Sequence, residues 1–354
     1  GFIPSPPRER EEELFVTRKV NIAVIGTGRM GSVHVANLVR QIPEANLSAI
    51  CDIRLEVAQA VADNLGIQRV VQDYHELLAD PSIEAVLIAT STDTHAMIIK
   101  DAAAAGKHIF SEKPLALNLK DIDEALAAVE KAKVKLQVGF NRRFDKSFQR
   151  VHQIVTSGEI GKPCSIHITS RDPEPPSMEF LRVSGGMFLD MTIHDFDMIR
   201  YQVGEVDEIY AMGNVLIAPE MNEFGDLDTT IVSLKFTNGA IGTIDNSRQA
   251  VYGYDQRLEV LCSDGVAMAA NEVETTIYKG DRRGFHSAAL PHFFMQRYAP
   301  CYVEEVRQFV ECVQEDKPTP VTGRDGRMAV VLGQAAWKSF REKRPVKISE
   351  FDQA

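Results

Sequence analysis

Residues 20–31 read Val-Asn-Ile-Ala-Val-Ile-Gly-Thr-Gly-Arg-Met-Gly, an apolar strand that runs into glycines spaced as Gly-x-Gly-x-x-Gly. Gly26 permits a tight turn, Gly28 lets a pyrophosphate approach the backbone, and Gly31 lets the following helix pack closely on the strand. The start of that helix offers free N–H groups to anionic phosphate. The stretch therefore predicts a dinucleotide-binding turn lined by Gly26, Thr27, Gly28, Arg29 and Met30.

This glycine spacing is common, so its context decides between a nucleotide site and a plain turn. Residues 47–52 read as a second strand that ends in Asp52, at the distance expected for an acid that binds the adenosine ribose. A carboxylate there accepts hydrogen bonds from the ribose hydroxyls and repels a 2′-phosphate, which favours NAD. Ile53 and Arg54 are placed beside the same ribose, and Arg54 keeps NADP open as a weaker alternative.

Strands and helices alternate through the first part of the chain, with helices expected at 30–41 and 55–65 and a buried strand at 85–89. This alternation predicts a doubly wound parallel sheet, a Rossmann fold. Ligands bind at the carboxyl ends of such strands. The residues that follow the buried strand there are Thr90, Ser91, Thr92 and His95. Hydrogen bonds to the cofactor and a cap for the helix at 96–105 explain these hydroxyls equally well.

A short strand at 108–111 is followed at once by Glu112, Lys113 and Pro114. A lysine that leaves a strand beside a nucleotide site can hold a substrate oxygen and favour its alkoxide. Pro114 restricts the backbone of Lys113 and so helps to aim its side chain. The alternative is a surface lysine in a turn, paired with Glu112.

From about residue 141 the chain contains consecutive strands instead, and Thr237-Asn238-Gly239 reads as a hairpin turn between two of them. The predicted fold is therefore α/β plus α+β, with a second domain built on a large, mostly antiparallel open sheet. One face of that sheet is free for a partner subunit. The predicted divisions are a mobile arm at 1–18, an NAD-binding domain at 19–141, a substrate-binding and oligomerisation domain at 142–354, and within it a helix at about 323–342 that packs back on the first domain.

Asp190, His194 and Asp197 recur at i, i+4 and i+7, so on one helix they share a face. An imidazole there can take a hydroxyl proton while a neighbouring carboxylate orients it. The alternative is a buried histidine satisfied by its own helix. A metal site is not predicted, because no third histidine or cysteine lies nearby in a ligand spacing.

Adjacent arginines, Arg142 and Arg143, follow a strand at 136–140. Their guanidinium groups can meet substrate hydroxyls or carboxylates, or they can pair with Asp145 and Glu159 across a domain joint.

The composition excludes several classes of protein. A net charge of −11 over 354 residues argues against sequence-independent binding of nucleic acid or of an anionic membrane. No apolar run is long enough to span a membrane, and the beginning of the sequence lacks a signal-peptide core. The five scattered cysteines fit reduced thiols in a cytoplasmic protein.

Three motifs together resemble the Gfo/Idh/MocA oxidoreductases: the glycine turn at 26–31, Glu112-Lys113-Pro114, and Asp190-x-x-x-His194. Segments 139–145 and 184–195 are similar to the inositol-oxidising members. The resemblance extends from Val20 to the C-terminus. It implies a homotetramer, formed through the open face of the second-domain sheet. It also implies a cofactor contact from Glu112 and from the lysine beside it.

Carried over by position, the resemblance implies that Lys113, Asp190 and His194 are catalytic. The substrate contacts that it implies, in addition to these three, are Asn141, Arg142, Asp172, Asp197 and either Tyr252 or Tyr254. This chain has Asn141 where Met is common in the inositol enzymes, and Asp172 where Asn is common.

The expected reaction is oxidation of a ring hydroxyl of a cyclic polyol or sugar, with myo-inositol giving 2-keto-myo-inositol. His194 would remove the hydroxyl proton while Lys113 and Asp190 assist. The alternatives are a dehydrogenase of another inositol isomer or of a pyranose, a redox-neutral glycosidase that uses NAD transiently, and a non-catalytic nucleotide sensor.

Overall fold

A six-stranded parallel sheet forms the first part of the computed structural model, which describes residues 18–351. Its strands are β1 (Val20–Ile25), β2 (Ala45–Cys51), β3 (Val70–Val71), β4 (Ala85–Ile88), β5 (His108–Glu112) and β6 (Leu136–Gly139). Its helices are α1 (Arg29–Gln41), α2 (Leu55–Leu65), α3 (His75–Leu78), α4 (Thr92–Ala104) and α5 (Leu119–Ala132). The predicted arm at 1–18 lies outside the described residues except for Arg18.

The strand order is β3-β2-β1-β4-β5-β6, so the winding direction reverses between β1 and β4. Such a reversal leaves a crevice at the carboxyl ends of the two strands. Gly26 ends β1 there with a φ of +92°. A Cβ on Gly26 would lie 2.6 Å from the carbonyl oxygen of Ala89, so only glycine lets the ends of β1 and β4 approach this closely.

The second part of the chain contains a larger sheet and most of the remaining helices. Its strands are β7 (Pro163–Arg171), β8 (Val206–Asn214), β9 (Thr229–Phe236), β10 (Ile241–Ser247), β11 (Asp255–Cys262), β12 (Gly265–Ala269), the ribbon strands β13 (Tyr278–Asp281) and β14 (Gly284–Ser287), and β15 (Val346–Lys347). Its helices are α6 (Lys146–Ser157), α7 (Met178–Leu181), α8 (Met187–Asp190), α9 (Ile193–Gln202), α10 (Phe294–Arg297), α11 (Ala299–Gln314) and α12 (Gly323–Glu342). Short 3-10 turns cover Asn141–Phe144, Pro219–Phe224 and Ile348–Phe351.

Seven of these strands form one sheet in the order β12-β11-β7-β10-β9-β8-β15. Neighbouring strands are antiparallel except for β7 and β10, which run parallel. The predicted combination of a parallel Rossmann sheet with a mostly antiparallel second sheet is therefore confirmed, and the parallel pair makes the second sheet mixed.

The second sheet buries one face and exposes the other. Alternate residues of β9, namely Val232, Leu234 and Phe236, belong to the core. The opposite face carries large apolar side chains that are at least one-third exposed. They are Met212, Ile231, Ile241, Leu261, Val266 and Met268. We call this set the outer apolar face.

Two helices from the end of the chain contact the first sheet. Helix α11 packs on it through a core cluster that includes Val306 and Phe309, and the ring of Phe309 lies 5.9 Å from that of Phe110 on β5. Helix α12 is held to α5 by an ion pair in which Nε of Arg327 lies 2.5 Å from Oδ1 of Asp123. The N–H of Val138 on β6 also donates to the carbonyl of Val321.

One expectation about local structure is wrong. The spacing argument put Asp190, His194 and Asp197 on one helix, but α8 ends at Asp190 and α9 begins at Ile193. The hydroxyl of Thr192, between the two helices, donates to the side chain of Asn246 on β10 at 2.6 Å. This bond to the second sheet fixes the break that sequence spacing alone does not show.

Each of the five cysteines lies within residues 18–351 and is a free thiol, and four of them are buried. Over the same residues, no helix is both long enough and apolar enough to cross a membrane.

The glycine turn predicts a matched pair of stability effects. A Cβ on Gly31 would lie 1.9 Å from the carbonyl oxygen of Gly26, whereas a Cβ on Gly28 would meet no protein atom within 4 Å. We expect Gly31→Ala to lower the free energy of unfolding by about 1–3 kcal/mol or more, because the backbone must move apart. Gly28→Ala should leave it nearly unchanged. Chemical denaturation of both variants checks this, and equal losses would contradict it.

Candidate active site

The carboxylate of Asp52 lies at the end of β2 against the glycine turn. Its Oδ2 accepts from the N–H of Thr27 at 2.8 Å and from the Thr27 hydroxyl at 3.0 Å, and its Oδ1 accepts from the N–H of Arg54 at 3.0 Å. Burial raises the pKa of Asp52, but these hydrogen bonds outweigh it and lower the pKa below its usual value. The group is therefore an anion fixed at the mouth of the crevice.

Other residues predicted to bind the cofactor line the same crevice. Ile53 is 80% exposed, and the guanidinium of Arg54 lies 3.8 Å from Asp52. Arg29 is exposed and stacks over the ring of Phe294 at 5.3 Å. Met30 is half-buried. The open space at Gly28 and the fixed anion at Asp52 both fit a dinucleotide.

The Thr90–His95 segment connects β4 to α4. Ser91 is the N-cap residue of α4, but its side chain makes no capping hydrogen bond. The hydroxyl of Thr94 instead donates to Thr90 Oγ1 at 2.7 Å, while Thr92 begins the helix. His95 is buried, with Nδ1 2.8 Å from the carbonyl of Pro114 and Nε2 3.1 Å from that of Thr90. His95 therefore ties this segment to the Lys113-Pro114 turn, and the Ser91 hydroxyl is free of a capping role.

Glu112 points into the protein at the end of β5. Its Oε1 lies 2.7 Å from Nε2 of His34 on α1, and its Oε2 accepts from the N–H of Lys113 at 3.3 Å. Glu305 of α11 is buried beside this pair. Burial, and then the charge of Glu112, raises the pKa of Glu305 well above its usual value. Glu112 thus supports the Lys113 backbone and is not the exposed salt-bridge partner that the surface alternative required.

The side chain of Lys113 crosses from the first sheet to α8. Its Nζ donates to the carbonyl oxygen of Asp190 at 2.9 Å and lies 3.3 Å from Oδ1 of the same residue. The second carboxylate oxygen, Oδ2, accepts from Nη1 of Arg248 at 3.0 Å. Burial raises the pKa of Asp190, but the charges of Lys113 and Arg248 lower it below its usual value. Asp190 is therefore ionised between two cations.

His194 is four residues beyond Asp190, at the start of α9. Its ring meets Phe140 edge-on at 6.0 Å, and its Nδ1 is buried without a hydrogen-bond partner among residues 18–351. Burial, and then the positive charges of Lys113 and Arg142, lowers the pKa of His194 well below its usual value. The imidazole is therefore neutral at neutral pH, which is the form that can accept a proton.

Arg142 belongs to a buried polar layer that sequence analysis did not foresee. Its Nη1 lies 2.6 Å from Oδ1 of Asp195 and 3.3 Å from the hydroxyl of Ser170. Asn246 donates to the other oxygen of Asp195 at 2.9 Å, and Gln256 accepts from Ser170 at 3.1 Å. These side chains hold the start of α9 against the sheet.

A sequence signal for this layer did exist. Ser170 and Asn246 occupy the inward-facing positions that Ile168 and Ile244 occupy two residues earlier. Register pairs Asn246 with Ser170, so polar residues at inward positions of neighbouring strands meet in one row.

Asp172 and Tyr254 lie near this layer. Burial raises the pKa of Asp172 to about 6, although Arg248 opposes the shift. Burial also raises the pKa of Tyr254 well above its usual value, and Arg142 and Asp172 are among the charges that act on it. The hydroxyl of Tyr252 instead donates to Asp255 and accepts from Arg171. Of the two tyrosines, Tyr254 is therefore the one beside the predicted substrate residues.

Asn141 and Asp197 are both buried. Asp197 accepts from Nε and Nη2 of Arg143 at 2.8 and 2.6 Å, so both of its oxygens are engaged in a structural pair. The expected alternative, in which the two arginines pair with Asp145 and Glu159, is wrong, because Arg142 pairs with Asp195 and Arg143 pairs with Asp197. The carboxylate of Asp145 accepts from Arg297 at 2.6 Å.

The parallel sheet with its dinucleotide turn, and the contact that Lys113 makes from that sheet to Asp190 on α8, define a two-domain oxidoreductase that uses a nicotinamide dinucleotide. Comparison with known proteins gives the family. Residues 20–140 match the Gfo/Idh/MocA oxidoreductase family, NAD-binding Rossmann fold. Residues 148–268 match the Gfo/Idh/MocA C-terminal domain. The chain belongs to the Gfo/Idh/MocA oxidoreductases, and its cofactor is NAD.

The chain is 48% identical over 332 residues to the myo-inositol 2-dehydrogenase of Thermotoga maritima, which covers 94% of this chain and 99% of that protein. A crystal structure of a probable dehydrogenase from the same organism superposes with a TM-score of 0.92 at 48% identity, over 94% of this chain and 99% of that one. The scyllo-inositol dehydrogenase of Lactobacillus casei, with bound NAD(H) and scyllo-inositol, has a TM-score of 0.88 at 27% identity, over 94% and 100% of the two chains.

The position of Asp52 predicts the cofactor preference. We expect Asp52→Ser to gain activity with NADP relative to NAD, because the carboxylate that repels a 2′-phosphate is gone while Arg54 remains to pair with it. The ratio of kcat/KM with the two cofactors measures this. Asp63→Ser, an exposed change on α2, is the control and should keep the wild-type ratio. A folded Asp52→Ser protein with an unchanged ratio would contradict the assignment.

Proposed function

We propose that this chain is an NAD-dependent dehydrogenase that oxidises a ring secondary hydroxyl of a cyclic polyol, with myo-inositol as substrate and 2-keto-myo-inositol (scyllo-inosose) as product. The observation that carries the proposal is the contact of Lys113 with Asp190, four residues before a neutral His194. Support for inositol comes from the relatives, whose names include myo-inositol and scyllo-inositol dehydrogenases.

The proposed chemistry begins with a substrate hydroxyl between Lys113 and His194. The Nδ1 of His194 is buried, so Nε2 is the nitrogen left to accept the hydroxyl proton, and the neutral ring must then carry its own proton on Nδ1. The Nζ of Lys113 stabilises the alkoxide character that develops on the substrate oxygen. NAD, held by the glycine turn and Asp52, supplies the hydride acceptor when bound.

The remaining charges fit the same scheme. Asp190 holds Lys113 through Oδ1 and is placed to accept from a neighbouring substrate hydroxyl. Asp172 and Tyr254 are proposed to bind further hydroxyls. Asn141 and Arg142 remain proposed substrate contacts, although the guanidinium of Arg142 already pairs with Asp195. Asp197 is the weakest of the proposed contacts because Arg143 engages both of its oxygens.

Three alternatives can be distinguished by whether net NADH forms and by the side chains that each requires. A dehydrogenase of another inositol isomer or of a pyranose accumulates NADH with a different substrate. A redox-neutral glycosidase retains its cofactor and gives no net NADH. A nucleotide sensor does not need the three proposed catalytic side chains together.

The first experiment measures NADH absorbance with NAD or NADP against myo-, scyllo- and chiro-inositol, glucose, xylose and an anhydrosugar. We expect NADH with myo-inositol. NADH formation with only one other compound of the panel would identify that compound as the substrate. Retained cofactor without net NADH would favour the glycosidase.

Removal of the proposed base provides a direct test of its role. We expect His194→Ala to lower kcat by about 10²- to 10⁴-fold, the usual contribution of a general base, with a smaller change in substrate binding. Lys113→Ala should also abolish most turnover. His75→Ala, an exposed histidine on α3, is the control and should retain activity. Wild-type turnover by His194→Ala would contradict the mechanism.

We further propose a cytoplasmic homotetramer that forms through the outer apolar face. The exposed side chains of Ile241 (59%) on β10 and Met268 (64%) on β12 lie on that face, and exposed apolar side chains on one face of a sheet favour burial against a second copy. We expect a tetramer by light scattering, and smaller species after Ile241→Lys combined with Met268→Lys. Val251→Lys, also exposed but outside the sheet, is the control. A wild-type monomer would contradict the proposal.

A further inference from the structure

We propose that Arg248 is a positioning residue for the reaction: it fixes the carboxylate of Asp190 from the side opposite Lys113. The inference rests on the proposed function, because it assigns Arg248 a part in holding the proposed catalytic lysine and carboxylate. Neither the glycine turn nor the catalytic motifs include this residue, which follows directly after β10.

Two cations contact the Asp190 carboxylate, one at each oxygen. Nη1 of Arg248 lies 3.0 Å from Oδ2, and Nζ of Lys113 lies 3.3 Å from Oδ1. The same Nη1 lies 3.9 Å from Oδ2 of Asp172. Arg248 therefore bridges the end of β10 to α8 and to the segment after β7. With Oδ2 held in this way, Oδ1 keeps a constant direction toward Lys113.

Burial of the Arg248 side chain is in itself destabilising. Its side chain is 2% exposed, and its Nε and Nη2 find no hydrogen-bond partner among residues 18–351. A buried guanidinium with unpaired donors destabilises a fold unless nearby carboxylates compensate. Asp226 faces it as a third carboxylate, whose Oδ1 accepts from the N–H of Met187 at the start of α8. Violations of this kind concentrate at functional sites.

The charged and titratable groups that face this cluster come from every element around it. They are Lys113 after β5, Arg142 in the 3-10 turn, Asp172 after β7, Asp190 on α8, His194 and Asp195 on α9, Asp226 before β9, and Tyr254 before β11. Two of the carboxylates, Asp172 and Asp190, repel each other, and Arg248 lies between them. Its charge lowers the pKa of both.

The pH dependence of kcat/KM distinguishes loss of the Arg248 charge from simple loss of packing. Burial raises the pKa of Asp172 to about 6 even with the Arg248 cation present. A neutral residue at position 248 removes a cation that favours the ionised carboxylates, so their pKa values rise. If activity needs these carboxylates ionised, then on acidification the variant loses its activity at a higher pH than the wild type does. The acid limb of kcat/KM therefore moves upward.

The experiment compares neutral and charged replacements. We expect Arg248→Gln and Arg248→Met to move the acid limb upward by at least about one pH unit, the usual effect of a charge at this distance, and to lower kcat at least tenfold. Two neutral variants keep the test usable if one fails to fold, which circular dichroism checks. Arg248→Lys keeps the charge without the planar fork, so the limb should return toward the wild-type position while kcat stays reduced.

Arg297→Gln is a matched control. Arg297 is 4% exposed, its Nη1 lies 2.6 Å from Asp145, and its Nε and Nη2 also lack partners within the described chain. It should lose stability without moving the acid limb. An unmoved limb in both neutral Arg248 variants, or an equal movement in Arg297→Gln, would overturn the inference.

A second measurement separates this inference from the proposed function. The carboxylic C=O stretch of Asp172, assigned by its loss in Asp172→Asn, can be titrated by infrared difference spectroscopy without turnover. It should titrate at higher pH in Arg248→Gln than in the wild type. If no polyol in the panel is oxidised, the proposed function fails while this titration still tests the contact, and an unchanged titration overturns it.

Discussion

The contact between Lys113 and Asp190 is the constraint on which the rest of the site depends. Lys113 directly follows strand β5 of the NAD-binding sheet, and Asp190 ends the short helix α8, which packs against α9 and α12. The proposed contact of Lys113 with a substrate oxygen requires that the surrounding elements hold both residues in place. His95 and Glu112 brace the lysine from one side. The two arginines at 142 and 248 and the polar row of the second sheet brace the other.

Burial and the charges of the site keep the imidazole of His194 uncharged. Burial is the main cause that opposes protonation of His194, and the charges of Lys113 and Arg142 add to it. Asp190 pairs with Arg248 and Asp195 pairs with Arg142, so cations and carboxylates are interleaved around the imidazole. A neutral imidazole fits the proposed role of proton acceptor, and the cations that help to keep it neutral are also suited to an oxygen that gains negative charge.

The parts that sequence analysis predicted are those set by local chemistry. The turn at Gly26 follows from backbone sterics, Asp52 from its place at a strand end, and Lys113 from its neighbours in the chain. The remainder depends on contacts between distant segments. The helix break at Thr192 needs Asn246, which is 54 residues away. The place of Arg248 between Asp172 and Asp190 follows from the parallel pairing of β7 and β10, which no local pattern specifies.

Helix α11 has a consequence for synthesis of the chain. It supplies Val306, Phe309 and Val310 to the core on one face of the first sheet, although it lies almost 160 residues beyond the last strand of that sheet. A ribosome-bound chain that has released the six strands still exposes the apolar surface around Phe110 until this helix emerges. The nucleotide-binding half therefore completes its core only after the chain has been synthesised as far as α11, and during that interval its open face is a natural target for chaperones.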